Sequence, residues 1–305
     1  MVLDNNTPIL VGIAEVVEPL KDDLAQASSA QTLAGRAAEL ALQDALDVDR
    51  LAPEIDVVVA TRTFPDSTPL WPMPFGKSNN MPRSIAQRLN ANPRQAIYAK
   101  TGGNTPQSLV NKWSEKLAAG QASMVLLAGA EVIATTKAAI KRNTPLNWAE
   151  DVEGSLEDQG PGIHGMVDYQ MVKHKVRALP PLYALCEVAR MSSQQQGLEA
   201  YTKGMAELLA PLSDVAATNP YAMFPKSYSA EQIATPSEKN SYIAFPYTKA
   251  MVANDGVNQA AALLLTTVGK ARELGIDESK WVYLHGYSET VEKGLLERED
   301  LSCSP

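Results

Sequence analysis

The sequence predicts an α/β fold: a five-stranded, mostly parallel sheet with helices on both faces, interrupted by a mostly helical insertion. Short β-branched apolar runs alternate with stretches of helical periodicity from the N-terminus to Ala139. The alternation then gives way to a Pro-, Gln- and Ser-rich stretch and resumes at Ala260. Helix-length crossovers between strands bring those strands together in parallel and cover both sheet faces. The expected division is an α/β part over 1–139 and 246–305, with the insertion over 140–245.

Each element has a local reason. Pro8–Val16 (PILVGIAEV) is a short apolar run, and Gln31–Leu46 follows with Leu33, Ala37, Leu40 and Ala41 at helical spacing. Ile55–Thr61 (IDVVVAT) is continuous and β-branched, as a strand covered on both faces should be. A polar, Pro-rich loop, Phe64–Pro74, precedes a helix over Pro82–Leu89, and Gln95–Lys100 is the next strand. After the turn Thr101-Gly102-Gly103-Asn104, a helix ending at Gly120 turns Leu109, Val110, Trp113 and Leu117 towards the sheet. Its other face (Ser108, Asn111, Lys112, Glu115) is polar and is expected to stay partly exposed. Met124–Ala128 reads as a strand, as do Ala260–Val268 and Trp281–Gly286, the last two separated by a helix over Gly269–Leu274. Within the insertion the periodicity predicts helices over Leu182–Gln195 and Leu198–Leu212.

Composition narrows the function classes. With 27 basic and 35 acidic residues the net charge is −8, which argues against a nucleic-acid groove. The longest apolar runs, Ala260–Leu265 and Met124–Leu127, are far too short for a membrane span. The opening MVLDNNTPIL has no secretory pattern, and Cys186 and Cys303 make no disulfide framework. A cytoplasmic protein is expected.

The junction Tyr98–Pro106 is the most informative stretch. Thr105 suits an N-cap and Pro106 a first helical residue, while two glycines allow a sharp exit from the strand. Such a turn aims N–H groups and a helix dipole at one point, which suits an anion, an oxyanion or a thiolate. A plain strand-to-helix turn would look the same from spacing alone.

A longer comparison adds to this. Gly102–Ala134, with Gly120-Gln121-Ala122-Ser123 and Ala128-Gly129-Ala130-Glu131, resembles the corresponding segment of the thiolase superfamily. Ala253-Asn-Asp-Gly-Val-Asn-Gln-Ala-Ala-Ala262 is similar to the family's N-A-S-G-x-N-D-G-A-A-A segment, and Lys270-Ala-Arg-Glu-Leu-Gly275 follows as it does there. The pattern most resembles the cysteine-less thiolase-like proteins of type 1 and their sterol-carrier-type relatives. The resemblance implies a thiolase N-terminal half with its loop domain, and a coenzyme A thioester as ligand with no covalently bound cofactor. It implies binding residues at Gly102, Gly103, Asn104, Asp255 and Gly256. It also implies a place in lipid metabolism among acetyl-CoA acyltransferases, and a possible homodimer through the strand at Gln95–Lys100.

The departures bear on chemistry. Gly103 stands where the family carries its nucleophilic cysteine, and glycine cannot form an acyl-enzyme. No catalytic residue is therefore assigned, and whether the chain is an enzyme stays open. The family's second half, with its G-H-P and C-x-G loops, has no counterpart, and Glu299–Pro305 resembles the link into it. Either the chain is a fragment or a partner supplies that half; a non-catalytic binding or scaffold subunit is the alternative reading.

Other reactive side chains are few. His285 reads as a strand-end histidine, and His164 and His174 as loop or surface residues, since no cluster has zinc spacing. Cys186 is expected in a helix and buried; Thr105 is read as a cap rather than a nucleophile. Lys173, Lys175 and Arg177 form a basic cluster that either meets coenzyme A phosphates or is a solvated face.

Overall fold

The computed structural model describes residues 4–67, 73–162, 169–176 and 178–303. It divides into two compact units, Met1–Gly162 with Gly256–Glu289, and Ile163–Asp255 with Thr290–Pro305.

The first unit holds a seven-stranded sheet of order β5-β3-β2-β4-β8-β1-β9. Its strands are β1 (Pro8–Val17), β2 (Val57–Thr61), β3 (Gln95–Ala99), β4 (Met124–Val132), β5 (Glu157–Asp158), β8 (Asn258–Thr267) and β9 (Val282–Tyr283). β5, β3, β2 and β4 pair in parallel, while β8 is antiparallel to both β4 and β1, and β9 is antiparallel to β1. Five of the seven strands thus run in one direction, as the mostly parallel expectation required. The two strands beyond the expected five are the two-residue pieces at the edges, β5 and β9. The run Trp281–Gly286 yields only β9, because β1 offers it pairing at Ile9 and Leu10 alone.

Helices cover the sheet unequally. One face, with Val11, Val58, Leu126 and Leu264, packs against α1 (Ala30–Ala45), α3 (Met81–Arg88) and α10 (Val268–Leu274), next to the short α2 (Val48–Leu51). α1 starts at Ser29, whose hydroxyl accepts the Thr32 N–H, and its buried Ala34, Ala37, Ala38 and Ala41 let it lie close to the strands. The other face, with Val57, Val59, Ile97, Val125 and Leu127, is packed by α4 (Thr105–Ala118) through Leu109, Val110, Trp113 and Leu117. This second layer leaves the β8–β1 region open: Ile13, opposite Leu263, is 59% exposed, and Ala261 and Glu15 are exposed too.

Lys112 and Glu115 on α4 are exposed, in line with the polar face read from the sequence, but Asn111 is 3% exposed. Residues after β9 cover it: Asn111 Nδ2 donates to Glu289 at 3.0 Å, the Tyr287 hydroxyl bonds to Glu115, and Leu284 packs into the α4 layer. β4 runs four residues past Ala128 and passes directly into α5 (Ile133–Arg142), a helix the sequence reading did not anticipate. Asn258 anchors this junction, accepting the Thr135 N–H at 3.0 Å and donating to Glu18 O at 3.1 Å.

The second unit contains α6 (Tyr169–Lys173), α7 (Leu179–Ser193), α8 (Leu198–Thr218), α9 (Ala230–Ala234) and a hairpin of β6 (Tyr242–Ala244) with β7 (Tyr247–Thr248). Pro180 in the first turn of α7 costs no hydrogen bond there, and α8 continues past Pro211 beyond the expected Leu212. Glu187 ties these pieces together by accepting the hydroxyls of Tyr201 and Tyr247. No helix among the described residues is long and apolar enough to cross a membrane.

Candidate functional site

The turn between β3 and α4 lies at the C-terminal end of the parallel strands. Thr101 fixes its base: its hydroxyl donates to Arg62 O at 2.9 Å and its N–H to Pro161 O at 3.3 Å. Gly102, at φ +157, sits where a Cβ would stand 2.9 Å from Thr105 Oγ1 and 3.0 Å from Asn104 Oδ1, so a side chain there would push those two side chains aside. Gly103 is exposed, and a Cβ on it would meet nothing within 4 Å.

The helix start differs by one residue from the expectation. Asn104, not Thr105, is the N-cap; it has helical backbone angles and makes no side-chain cap bond, and Pro106 falls at the second helical position. The Thr105 N–H is spent on Gly102 O at 3.2 Å, and Pro106 has no N–H. Among the described residues, the N–H groups of Gly103 and Asn104 make no hydrogen bond. These two donors, with the positive end of a 14-residue helix behind them, are what the turn offers to a carbonyl oxygen or an anion.

Neighbouring strands furnish the walls. Thr61 and Gly129 are in close contact on the α4 side, a Cβ at Gly129 lying 3.3 Å from Thr61 Cβ. Two residues further along β4 is Glu131, which accepts the Phe64 N–H at 2.5 Å. Burial pushes its carboxyl up to about 7 against the opposing pull of that hydrogen bond. In the sequence Glu131 stands out only as the end of the Ala128–Glu131 motif, a lone carboxylate closing an otherwise apolar strand.

On the opposite side of the sheet end, buried Arg62 stacks over the Tyr98 ring at 4.1 Å, pairs with Asp66 at 3.4 Å and with Asp158, and donates to Gly160 O at 3.1 Å. Burial, and then the Asp66 charge, holds the Tyr98 hydroxyl protonated well above its usual range. A cavity of about 20 Å³ beside this network, lined by Gln31, Thr63, Asp66, Lys77, Ser78 and Tyr98, has room for a water and not for a substrate.

Gly256 lies two residues before β8, whose Asn258 is opposite Val132, so it shares a sheet end with the Gly102–Asn104 turn. β2 and β4 intervene, so roughly 14 Å of strand spacing separates β8 from β3. The fold thus keeps Gly102, Gly103 and Asn104 contiguous and places Gly256 at a distance from them. Asp255 is exposed and belongs to the second unit.

The other reactive residues are dispersed. His174, Lys173, Lys175 and His285 are exposed, while His164 and Arg177 lie outside the described residues. Cys186 is helical as expected but half-buried rather than buried, and Cys303 is exposed. Among the described residues no group of His, Cys, Asp and Glu could hold a metal ion.

No family model and no curated protein matches the sequence. Among solved structures, a monomeric SCP2-thiolase-like protein type 1 from Mycobacterium smegmatis matches with TM-score 0.79 and 34% identity, over 100% of this chain and 55% of that one. The chain has the thiolase-superfamily fold. The Ltp2-ChsH2(DUF35) aldolase (TM-score 0.67, 14% identity, 97% and 65% of the two chains) and human mitochondrial 3-ketoacyl-CoA thiolase (0.50, 13%, 90% and 69%) share that fold. The present chain spans about half the length of the thiolase-like protein from M. smegmatis, at 55%.

Proposed function

We propose that this thiolase-fold chain handles an acyl-coenzyme A thioester without the covalent, cysteine-dependent step of acyltransferases of the fold. The observation that supports this most is the turn itself. Two N–H donors without a hydrogen bond stand at the start of α4, at Gly103 and Asn104, and Gly103 has no side chain to attack a carbonyl. Such donors polarise a thioester carbonyl and stabilise the oxyanion or enolate formed from it. Without a nucleophile they support non-covalent lyase or transferase chemistry, or binding alone, and exclude acyl storage at this position. Gly102, Gly103 and Asn104 are assigned to the carbonyl end of the ligand, and Asp255 and Gly256 to its pantetheine arm.

The partly exposed face of α4 and the open β8–β1 region support a second element of the reading. A complementary half, in the same protein or in a partner chain, covers that face and completes the site. The alternative, a non-catalytic binding or scaffold subunit, shares this requirement.

Calorimetry with acetyl-CoA distinguishes the parts. Binding is expected to be weaker than about 100 μM for the chain alone and at least tenfold tighter when it is joined to the part of the M. smegmatis protein that it does not span. Micromolar binding by the chain alone would contradict the need for a second half. No binding in either form would contradict the acyl-thioester reading.

A further inference from the structure

The Gly102–Asn104 turn has few bonds of its own. The Thr105 N–H reaches Gly102 O at 3.2 Å, and Asn104 makes no side-chain cap bond. The direction of its N–H groups is set by the two supports between which it hangs. One is α4, seated on the sheet by Leu109, Val110, Trp113 and Leu117. The other is Thr101, which is held twice, its hydroxyl donating to Arg62 O and its N–H to Pro161 O.

Both holds lead to Arg62. Pro161 belongs to a strap, residues 157–162, that pairs with β3 through β5 and through the Gln159 N–H, which donates to Tyr98 O at 3.0 Å. The Arg62 side chain fastens that strap: Nε donates to Gly160 O at 3.1 Å and Nη2 to Asp158. Nη1 pairs with Asp66 at 3.4 Å, and the guanidinium covers the ring of Tyr98, three residues before Thr101. Arg62 is 6% exposed. A buried ion pair adds little net stability, and well-packed apolar side chains often serve a fold as well. What a guanidinium adds is a rigid fork that addresses several partners in fixed directions.

We propose that Arg62 is a positioning residue for the Gly103 and Asn104 N–H donors, an assignment that rests on the turn being the carbonyl site. Its side chain lies with Tyr98 on the α1 side of the sheet, so it acts through Thr101 and the strap and not on the ligand. Donors to a developing oxyanion are worth most when they are aimed beforehand and need no reorganisation as charge appears. A displacement of Thr101 beyond about 0.5 Å spoils that aim.

A thiol serves as the test anion, in the full chain and without any thioester. In Gly103→Cys, alkylation of that cysteine by iodoacetamide is followed against pH by peptide mass spectrometry, beside urea unfolding. The cysteine is expected to titrate about one pH unit or more below the ordinary thiol value of about 8.5. Adding Arg62→Lys keeps the positive charge and removes the fork, and is expected to leave about tenfold less thiolate at pH 7. Adding Thr101→Val removes only the hydroxyl given to Arg62 O, and is expected to leave about threefold less. An Arg62 that served stability alone would lower the urea midpoint and leave the titration in place. A lowered thiol titration that neither addition changes would overturn the positioning role. If Arg62→Lys does not fold, Thr101→Val decides by the same profile. An ordinary titration in Gly103→Cys itself would overturn the turn as an anion site, and the role of Arg62 with it.

Discussion

The two faces of the central sheet are built to different ends. The α1 face is closed by fully buried alanines (Ala34, Ala37, Ala38, Ala41) and leucines (Leu33, Leu42) that pack a helix on the strands. The α4 face has a single helix, an exposed Ile13, a carboxyl at Glu131 and a turn with two unbonded N–H groups. Apolar burial, the dominant stabilising term, is concentrated on the first face. The second face keeps the polar and open features that a ligand or a covering element needs.

Substitutions on the two faces should therefore differ most in stability. Leu42→Ala, at a fully buried position on the α1 face, is expected to cost about 2–5 kcal/mol in urea unfolding. Ile13→Ala, at 59% exposure on the α4 face, is expected to cost less than about 0.5 kcal/mol. Comparable losses at the two sites would show that the α4 face is closed after all.

Glu131 sharpens the contrast through pH. Its carboxyl is raised from 4.5 to about 7 in the folded chain, so the folded state holds the proton more tightly than the unfolded one. Its protonated form supports folding fully below about pH 4.5; the support falls as pH rises to about 7 and is gone above that. The full effect is at most about 3 kcal/mol. Glu131→Gln is expected to flatten this part of the pH–stability curve and to make the chain more stable than wild type at pH 8. An unchanged slope between pH 4.5 and pH 7 would place Glu131 in contact with solvent.

How much of this was legible follows from how local each signal is. β1, β2, β3, β8 and α1 announce themselves by continuous apolar runs or helical periodicity, and their bounds fall within a few residues of those read from the sequence. β5 does not, because a charged Glu-Asp pair becomes a strand only by lying against β3. The Arg62–Asp158 clamp joins residues 96 apart, and Asn111 is buried by a bond to Glu289, 178 residues on. Neither contact leaves a trace in local pattern. The N-cap shift to Asn104 has a smaller cause: Pro is accepted in the first turn of a helix, so Pro106 marks the helix start only to within a residue. Of the candidate site, the Gly102–Gly103 turn was readable as a Gly-Gly step between a strand and a helix, although only Gly102 has a positive φ, whereas Glu131 required knowing which face of β4 looks towards α4.

The absence of acyl storage at Gly103 is tested most directly by intact-mass spectrometry after incubation with acetyl-CoA, wild type beside Gly103→Cys. The open space at Gly103 accommodates the new side chain, and the N-terminal end of α4 favours its thiolate. The expected result is one acetyl group on the cysteine of the variant and none on the wild type. An acetyl adduct on the wild-type turn, for instance at Thr105, would contradict the account.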